Sequence, residues 1–287
     1  MPIHPISFCI PAENIIDHIP EKIKIVAGCQ YNSRSFTNEK EYFEEYQRSL
    51  FGNTKCKAGW DCLRHYEILA NGCIPYFENM DSIPSKTMVD FPKDIVRRGM
   101  QLTSLNREEY EPIIKELLDY TRENLTTEAR AKYIITTLGK KVEDIKSVLY
   151  LSGSDFGDYL RCTVLHGFKT MFKEKCVDYI RLPHIYNSYP YPIRNEIFSF
   201  GFSYAFRLPA EYDIHCNRSS IEERIASHEF DIIIFGSLHR GMPFLELVDK
   251  YYKEDEIAFL CGEDFHLCSM ITNGIAEKYH IFIRELS

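Results

Sequence analysis

Short, almost wholly apolar runs recur through the second half of this chain and constrain its fold more than any other feature. Val148-Leu149-Tyr150-Leu151 lies within a strand expected over Ser147–Ser152, and further strands are expected at Val177–Leu182, Asp231–Phe235, Ile257–Leu260 and His280–Arg284. Between them the spacing predicts helices at Tyr159–Lys173, Ser220–His228, Pro243–Tyr252 and Leu267–Lys278. Apolar strands alternating with helices imply a mostly parallel sheet covered on both faces, joined by right-handed crossovers. The stretch Tyr186–Cys216, rich in Tyr, Phe and Pro, lacks such periodicity and is expected to be an irregular excursion.

The first half follows the same logic less regularly. Strands are expected at Ile6–Ile10, Lys22–Ala27, Ser49–Asn53 and Cys73–Glu78, with helices at Glu39–Leu50, Asp61–Asn71, Arg107–Asn124 and Thr126–Leu138. Thr126 or Thr127 caps the last of these helices and Gly139 stops it. The charged segment Lys140–Lys146 marks a boundary, dividing the chain into residues 1–145 and 146–287. With 287 residues, 45% of them hydrophobic and 26% charged, the chain is long enough for two α/β domains of about 140 residues each.

A net charge of −8 and a pI near 5.7 argue against binding nucleic acid, which calls for a basic field. Ten cysteines are scattered without Cys-x-x-Cys or paired Cys/His spacing, so no zinc site is expected. No charged leader precedes an apolar stretch, and no window approaches the ~18 apolar residues of a membrane helix. The expectation is a reducing cytoplasmic compartment with free thiols, no signal peptide and no membrane span.

The densest chemistry lies in Gly59-Trp60-Asp61-Cys62-Leu63-Arg64-His65-Tyr66-Glu67 and the residues up to Gly72-Cys73-Ile74-Pro75-Tyr76-Phe77, which read as loop, helix, tight stop and buried strand. Helical spacing stacks Asp61, Arg64, Glu67 and Asn71 on a polar stripe, with Leu63, Tyr66, Leu69 and Ala70 on a buried one. A helix N-terminus with an Arg one turn in can hold a diphosphate, and a Glu one turn further can accept ribose hydroxyls. The same stripe also reads as a solvated face of i,i+3 ion pairs.

The run Asp61-x-x-Arg64-x-x-Glu67-x-x-x-x-Gly72-Cys73-Ile74-Pro75 resembles the donor-site motif of exostosin-like glycosyltransferases over about twenty residues, and departs from it around Trp60 and His65-Tyr66. The resemblance implies a nucleotide-sugar site made by Lys57, Gly59, Trp60, Asp61, Arg64 and Glu67, with Arg34 as a further cation. It implies a UDP-linked donor, UDP-xylose or another pentose or deoxyhexose donor among the options, and a glycan or small-molecule acceptor. It also implies the GT-B-like architecture of two Rossmann-like domains facing a cleft, with the donor-type domain exceptionally first. A circular permutation would explain that order and calls for neighbouring chain ends.

An inverting transferase needs a general base facing the donor. Asp155 and Asp158, in the loop after the first strand of the second half, are the candidates; Asp158 reads equally as the cap of the following helix and Asp155 as a turn residue, and with Asp158 available as the cap Asp155 is favoured as the base. Loops after later strands carry His239, Arg240, Glu263, Asp264 and His266, all expected over strand carboxyl ends and so near an acceptor. No Asp-x-Asp occurs, so no metal or other cofactor is expected, and the diphosphate charge falls to the helix dipole and cations. A non-catalytic nucleotide-binding module of the same fold is the alternative; a dinucleotide enzyme is disfavoured, since Gly-x-Gly-x-x-Gly follows no strand.

Overall fold

The computed structural model describes residues 3–29, 36–155, 157–190, 196–264 and 274–286. Its strands are β1 (Ile3–Pro5), β2 (Lys24–Val26), β3 (Ser49–Thr54), β4 (Ile74–Phe77), β5 (Val148–Leu151), β6 (Cys176–Tyr179), β7 (Ile232–Phe235), β8 (Ile257–Cys261) and β9 (His280–Ile283). Six form a sheet in the order β1-β9-β8-β7-β5-β6 and three form another in the order β2-β3-β4, every pairing parallel. The chain is therefore α/β with parallel sheets, compatible with Rossmann-like units. From β5 onward the order is doubly wound, and the direction of winding reverses between β5 and β7, where such sheets open a crevice at their carboxyl ends.

β1 does not join the sheet of the first half. It pairs with β9, Ile3 opposite Ile281, so strands from the two ends of the described chain are neighbours. The strand expected at Ile6–Ile10 lies instead at Ile3–Pro5. Ile6 N–H still bonds to Ile283 O at 3.0 Å, but Phe8 N–H is taken by the Asp61 carboxylate at 2.7 Å, which ends the ladder.

The principal helices are α1 (Glu39–Gln47), α2 (Leu63–Ala70), α3 (Lys93–Gly99), α4 (Arg107–Asn124), α5 (Thr127–Thr137) and α6 (Tyr159–Phe172). Short helices α7 (Glu211–Ile214), α8 (Ile221–Ala226), α9 (Leu245–Tyr251) and α10 (Ile275–Lys278) complete the second half. Of the helix expected at Leu267–Lys278, only the part from residue 274 onward falls among the described residues. Thr126 caps α5, its hydroxyl accepting Ala129 N–H at 3.2 Å. α5 packs on α6, and one apolar core containing Leu50, Ile134, Val164, Ile232 and Phe282 runs through both sides of residue 145.

Residues 196–207, part of the expected irregular excursion, strap the second half onto the first. Ser203 N–H donates to Glu39 at 2.7 Å, Arg207 pairs with Glu39, and the Phe202 ring stacks on Tyr42 with centroids 5.5 Å apart. Ser199, Phe200, Ser203 and Phe206 all have positive φ, a conformation that side chains resist and that these contacts hold in place. No helix among the described residues is long and apolar enough to cross a membrane.

Candidate functional site

α2 ends as its sequence demands: Gly72 at φ +60° lets its N–H reach Leu69 O at 3.0 Å while Cys73 N–H reaches Ile68 O at 3.1 Å. It begins later than expected, at Leu63, because Asp61 is engaged elsewhere. The Asp61 carboxylate accepts from Phe8 N–H at 2.7 Å and from the Tyr66 hydroxyl at 2.9 Å. Burial pushes its pKa up to about 6 against the pull of Arg284, the Phe8 amide and Tyr66. Asp61 thus ties the loop to the N-terminal segment, and its carboxylate has no solvated face to share with Arg64 and Glu67.

The polar stripe does not face water. All eight residues of α2 are buried, Arg64 and Glu67 included. Glu67 accepts from the Tyr42 hydroxyl at 2.7 Å and from the Ser203 hydroxyl at 2.6 Å, and burial raises its pKa although both hydroxyls and Arg64 pull it down. Arg64 is different. It makes no hydrogen bond or ion pair among the described residues, its Nε is buried without a partner, and it lines a cavity of about 420 Å3. Lys57 lines the same cavity, and its pKa is lowered by burial and then by Arg64, two cations on one wall.

The opposite wall comes from the second half. Tyr159, Ser199, Phe202 and Asp264 complete this first chamber, and Phe8, Tyr159 and Asp264 continue into a second one of about 290 Å3. The second chamber is also lined by Asp158, Tyr204, Arg240, Glu263 and Arg284. These side chains follow the carboxyl ends of their strands: Phe8 follows β1, Lys57 to Arg64 follow β3, Tyr159 follows β5, Arg240 follows β7, Glu263 and Asp264 follow β8, and Arg284 follows β9. Parallel strands present their ligand-binding loops at that edge.

Arg284, with Glu285, clasps the two halves. Its Nε donates to Gly262 O at 3.1 Å, Nη1 to Glu285 at 2.7 Å and to Asp61 O, and Nη2 to Asp264. Glu285 in turn accepts from Asp61 N–H at 2.8 Å. It lies so close to Gly59 that a Cβ there would collide with its carboxylate unless the Glu285 side chain shifted.

Most of the expected site residues therefore converge. Lys57, Gly59, Asp61, Arg64 and Glu67 line the first chamber, and Asp158, Arg240, Glu263 and Asp264 the second. Trp60 does not: its side chain packs on the core, and its carbonyl fixes His65 Nε2 at 2.8 Å. Asp155 is exposed and lines neither chamber. His239 is exposed too, its Nε2 3.5 Å from Cys261 Sγ. Asp158 caps α6, Oδ1 accepting Arg161 N–H at 3.1 Å, and so combines cap and cleft positions. Arg34 and His266 lie outside the described residues. Sequence reasoning missed Phe8, Tyr159, Tyr204 and the Arg284 clasp; only the place of Arg284, directly after an apolar strand, signalled it in advance.

The chain matches no protein-family model, no curated protein and no solved structure.

Proposed function

We propose that this cleft transfers a sugar from a nucleoside-diphosphate donor, UDP-linked, to a hydroxyl of a glycan or small-molecule acceptor, the two α/β halves acting as in a GT-B-like enzyme. The observation that carries the reading is Arg64: a buried side chain that makes no hydrogen bond or ion pair among the described residues and whose Nε is sealed without a partner, beside Lys57 on the wall of a cavity sized for a small ligand. Burying a charge unpaired is costly, and an anionic ligand such as a diphosphate removes that cost through charge-assisted hydrogen bonds. The resemblance of Asp61 to Pro75 to the exostosin donor motif supports the same assignment. UDP-xylose belongs in the donor panel.

In the transfer, the acceptor O–H proton passes to a carboxylate while its oxygen bonds to the anomeric carbon. The bond from that carbon to the phosphate oxygen breaks, and its electron pair leaves with the nucleoside diphosphate near Arg64 and Lys57. Glu263 suits the base: it lines the second chamber, is half-buried and makes no hydrogen bond or ion pair among the described residues. Asp264 is held by Arg284, and one oxygen of Asp158 caps a helix.

Two measurements test this. Calorimetric titration with UDP should show Arg64→Ala weakening binding by about 1.5–3 kcal/mol, the worth of hydrogen bonds to a charged group; unchanged affinity would sink the donor assignment. With a panel of UDP-sugars and acceptors, Glu263→Gln should cut turnover by about 10²–10⁴-fold while UDP still binds, since a base acts only in the chemical step. Full turnover in that variant would return the role to Asp158.

A further inference from the structure

The second chamber has a chemistry of its own. Phe8, Tyr159 and Tyr204 supply rings, and Asp158, Glu263 and Asp264 supply carboxylates. Tyr159 meets Phe8 edge-on, with centroids 6.1 Å apart and planes at 82°, and meets Tyr204 likewise at 5.1 Å and 86°. Neighbouring rings therefore do not close face to face on one another. An amphipathic ligand with an apolar C–H face and hydroxyls at its rim meets both needs, a ring surface on one side and carboxylate acceptors on the other.

Charge narrows the class. Three carboxylates line the chamber with Arg240 and Arg284, and Arg284 is committed to Asp264, Glu285 and two backbone carbonyls. With Arg240 counted as well, the three carboxylates outnumber the guanidiniums by one, so an anionic ligand meets a net negative lining and the walls disfavour phosphate and carboxylate groups. Size narrows it further. About 290 Å3 lies at the foot of the ~300–1,000 Å3 range of pockets for drug-sized ligands, enough for one ring but not a chain.

We infer that the second chamber is the acceptor subsite and takes a single uncharged sugar ring, the terminal residue of a glycan or a simple glycoside. This rests on the transferase reading above. Phe8, Tyr159 and Asp264 belong to both chambers, so a hydroxyl of that ring enters the first chamber past them.

The test uses saturation-transfer NMR on the intact protein, with methyl glucoside, galactoside and xyloside as neutral probes and glucuronic acid and glucose 6-phosphate as charged ones, while calorimetry follows UDP. A Cβ at Gly157 would stand 3.6 Å from both His184 Nε2 and Tyr204 Oη, ordinary contact, so Gly157→Val adds bulk beside the Tyr204 wall without a clash at its first atom. The expected result is saturation of a neutral glycoside and about tenfold weaker binding in Gly157→Val, the loss that one obstructed contact region brings, with UDP affinity unchanged. Should that variant melt early, Glu263→Ala, which removes a half-buried carboxylate acceptor from the chamber, serves in its place with an expected loss of about tenfold. Neutral glycosides bound equally by the parent and the variants, no glycoside binding beside normal UDP binding, or tighter binding of the charged sugars would each overturn the inference and leave the donor site standing. Glycoside binding without UDP binding would overturn the transferase reading itself.

Discussion

Arg64 lines the first chamber and Arg284 the second, 8% and 1% exposed, and they differ in what surrounds them. The Arg284 guanidinium donates to two carboxylates and two backbone carbonyls and lies 4.7 Å over the Phe8 ring. Arg64 has no hydrogen bond or ion pair among the described residues. A buried charge that is fully partnered belongs to the architecture, and one that is left unpartnered at a cavity wall makes sense only if something else supplies its partner. The same residue type, buried in both places, thus separates what holds this molecule together from what we propose it is built to hold.

Removing each arginine tests that distinction. Arg284→Ala strands Glu285 and Asp264 without their cation and opens the clasp between loops 59–61 and 262–264. The expected loss is about 3–5 kcal/mol of stability, the cost of breaking one side of a buried pair, measured by urea denaturation. Arg64→Ala removes a side chain that makes no hydrogen bond or ion pair among the described residues, so its stability should stay within about 1 kcal/mol of the parent. Equal losses would erase the comparison and make Arg64 another structural arginine.

Much of the first wall was legible because its determinants are local. The Gly72 stop, the apolar runs of β5, β7 and β8 and the Thr126 cap are each decided by residues within one or two turns of each other. What escaped was set by partners far away in sequence. The stripe Asp61-Arg64-Glu67 read as a nucleotide-sugar site or a solvated face, because nothing nearby announces that Tyr42, Ser203 and Phe8 will bond to Glu67 and Asp61. The first strand was expected at Ile6–Ile10 and forms at Ile3–Pro5, because its partner lies some 280 positions on, although neighbouring chain ends were expected. Loop position favoured Asp155 as the base and left Asp158 as the cap. The cap contact to Arg161 and the walls of the cleft distinguish them.

Acidification probes the first wall from within. His65, beside Arg64 in α2, is fully buried: Nε2 is 2.8 Å from Trp60 O and Nδ1 is 2.9 Å from the Thr54 hydroxyl. Burial lowers its pKa to about 3, and that of His184 to about 4. In the unfolded chain each takes up a proton below ~6.5. Between these values the unfolded state binds more protons, so the stability each histidine contributes is complete above ~6.5 and is lost as pH falls, by about 1.4 kcal/mol per unit. Asp61, raised to about 6, acts the other way: its contribution is complete below ~3.9 and is lost as pH rises through 6. Two histidines outweigh one aspartate, so these three groups together lower the melting temperature from pH 6 to pH 5. His65→Gln should flatten that slope by about 1.4 kcal/mol per unit. An unaltered slope would mean that His65 is not held neutral and that the first wall is wetter than its geometry implies.

The smallest effect sharpens the second wall. Asp158 caps α6 through Oδ1 and also lines the acceptor-side chamber, and substitution can separate the two roles. Asparagine caps a helix about as well as aspartate, whereas alanine cannot accept the Arg161 N–H. Asp158→Ala should therefore lose about 1 kcal/mol in thermal or chemical melts, and Asp158→Asn no more than a few tenths. With the fold thus controlled, turnover of the asparagine variant reads the charge alone. If Asp158 is only a cap, Asp158→Asn transfers sugar at close to the parent rate while Glu263→Gln does not. If the folded asparagine variant is the one that fails, the proton goes to Asp158 and Glu263 becomes part of the acceptor's hydroxyl contacts.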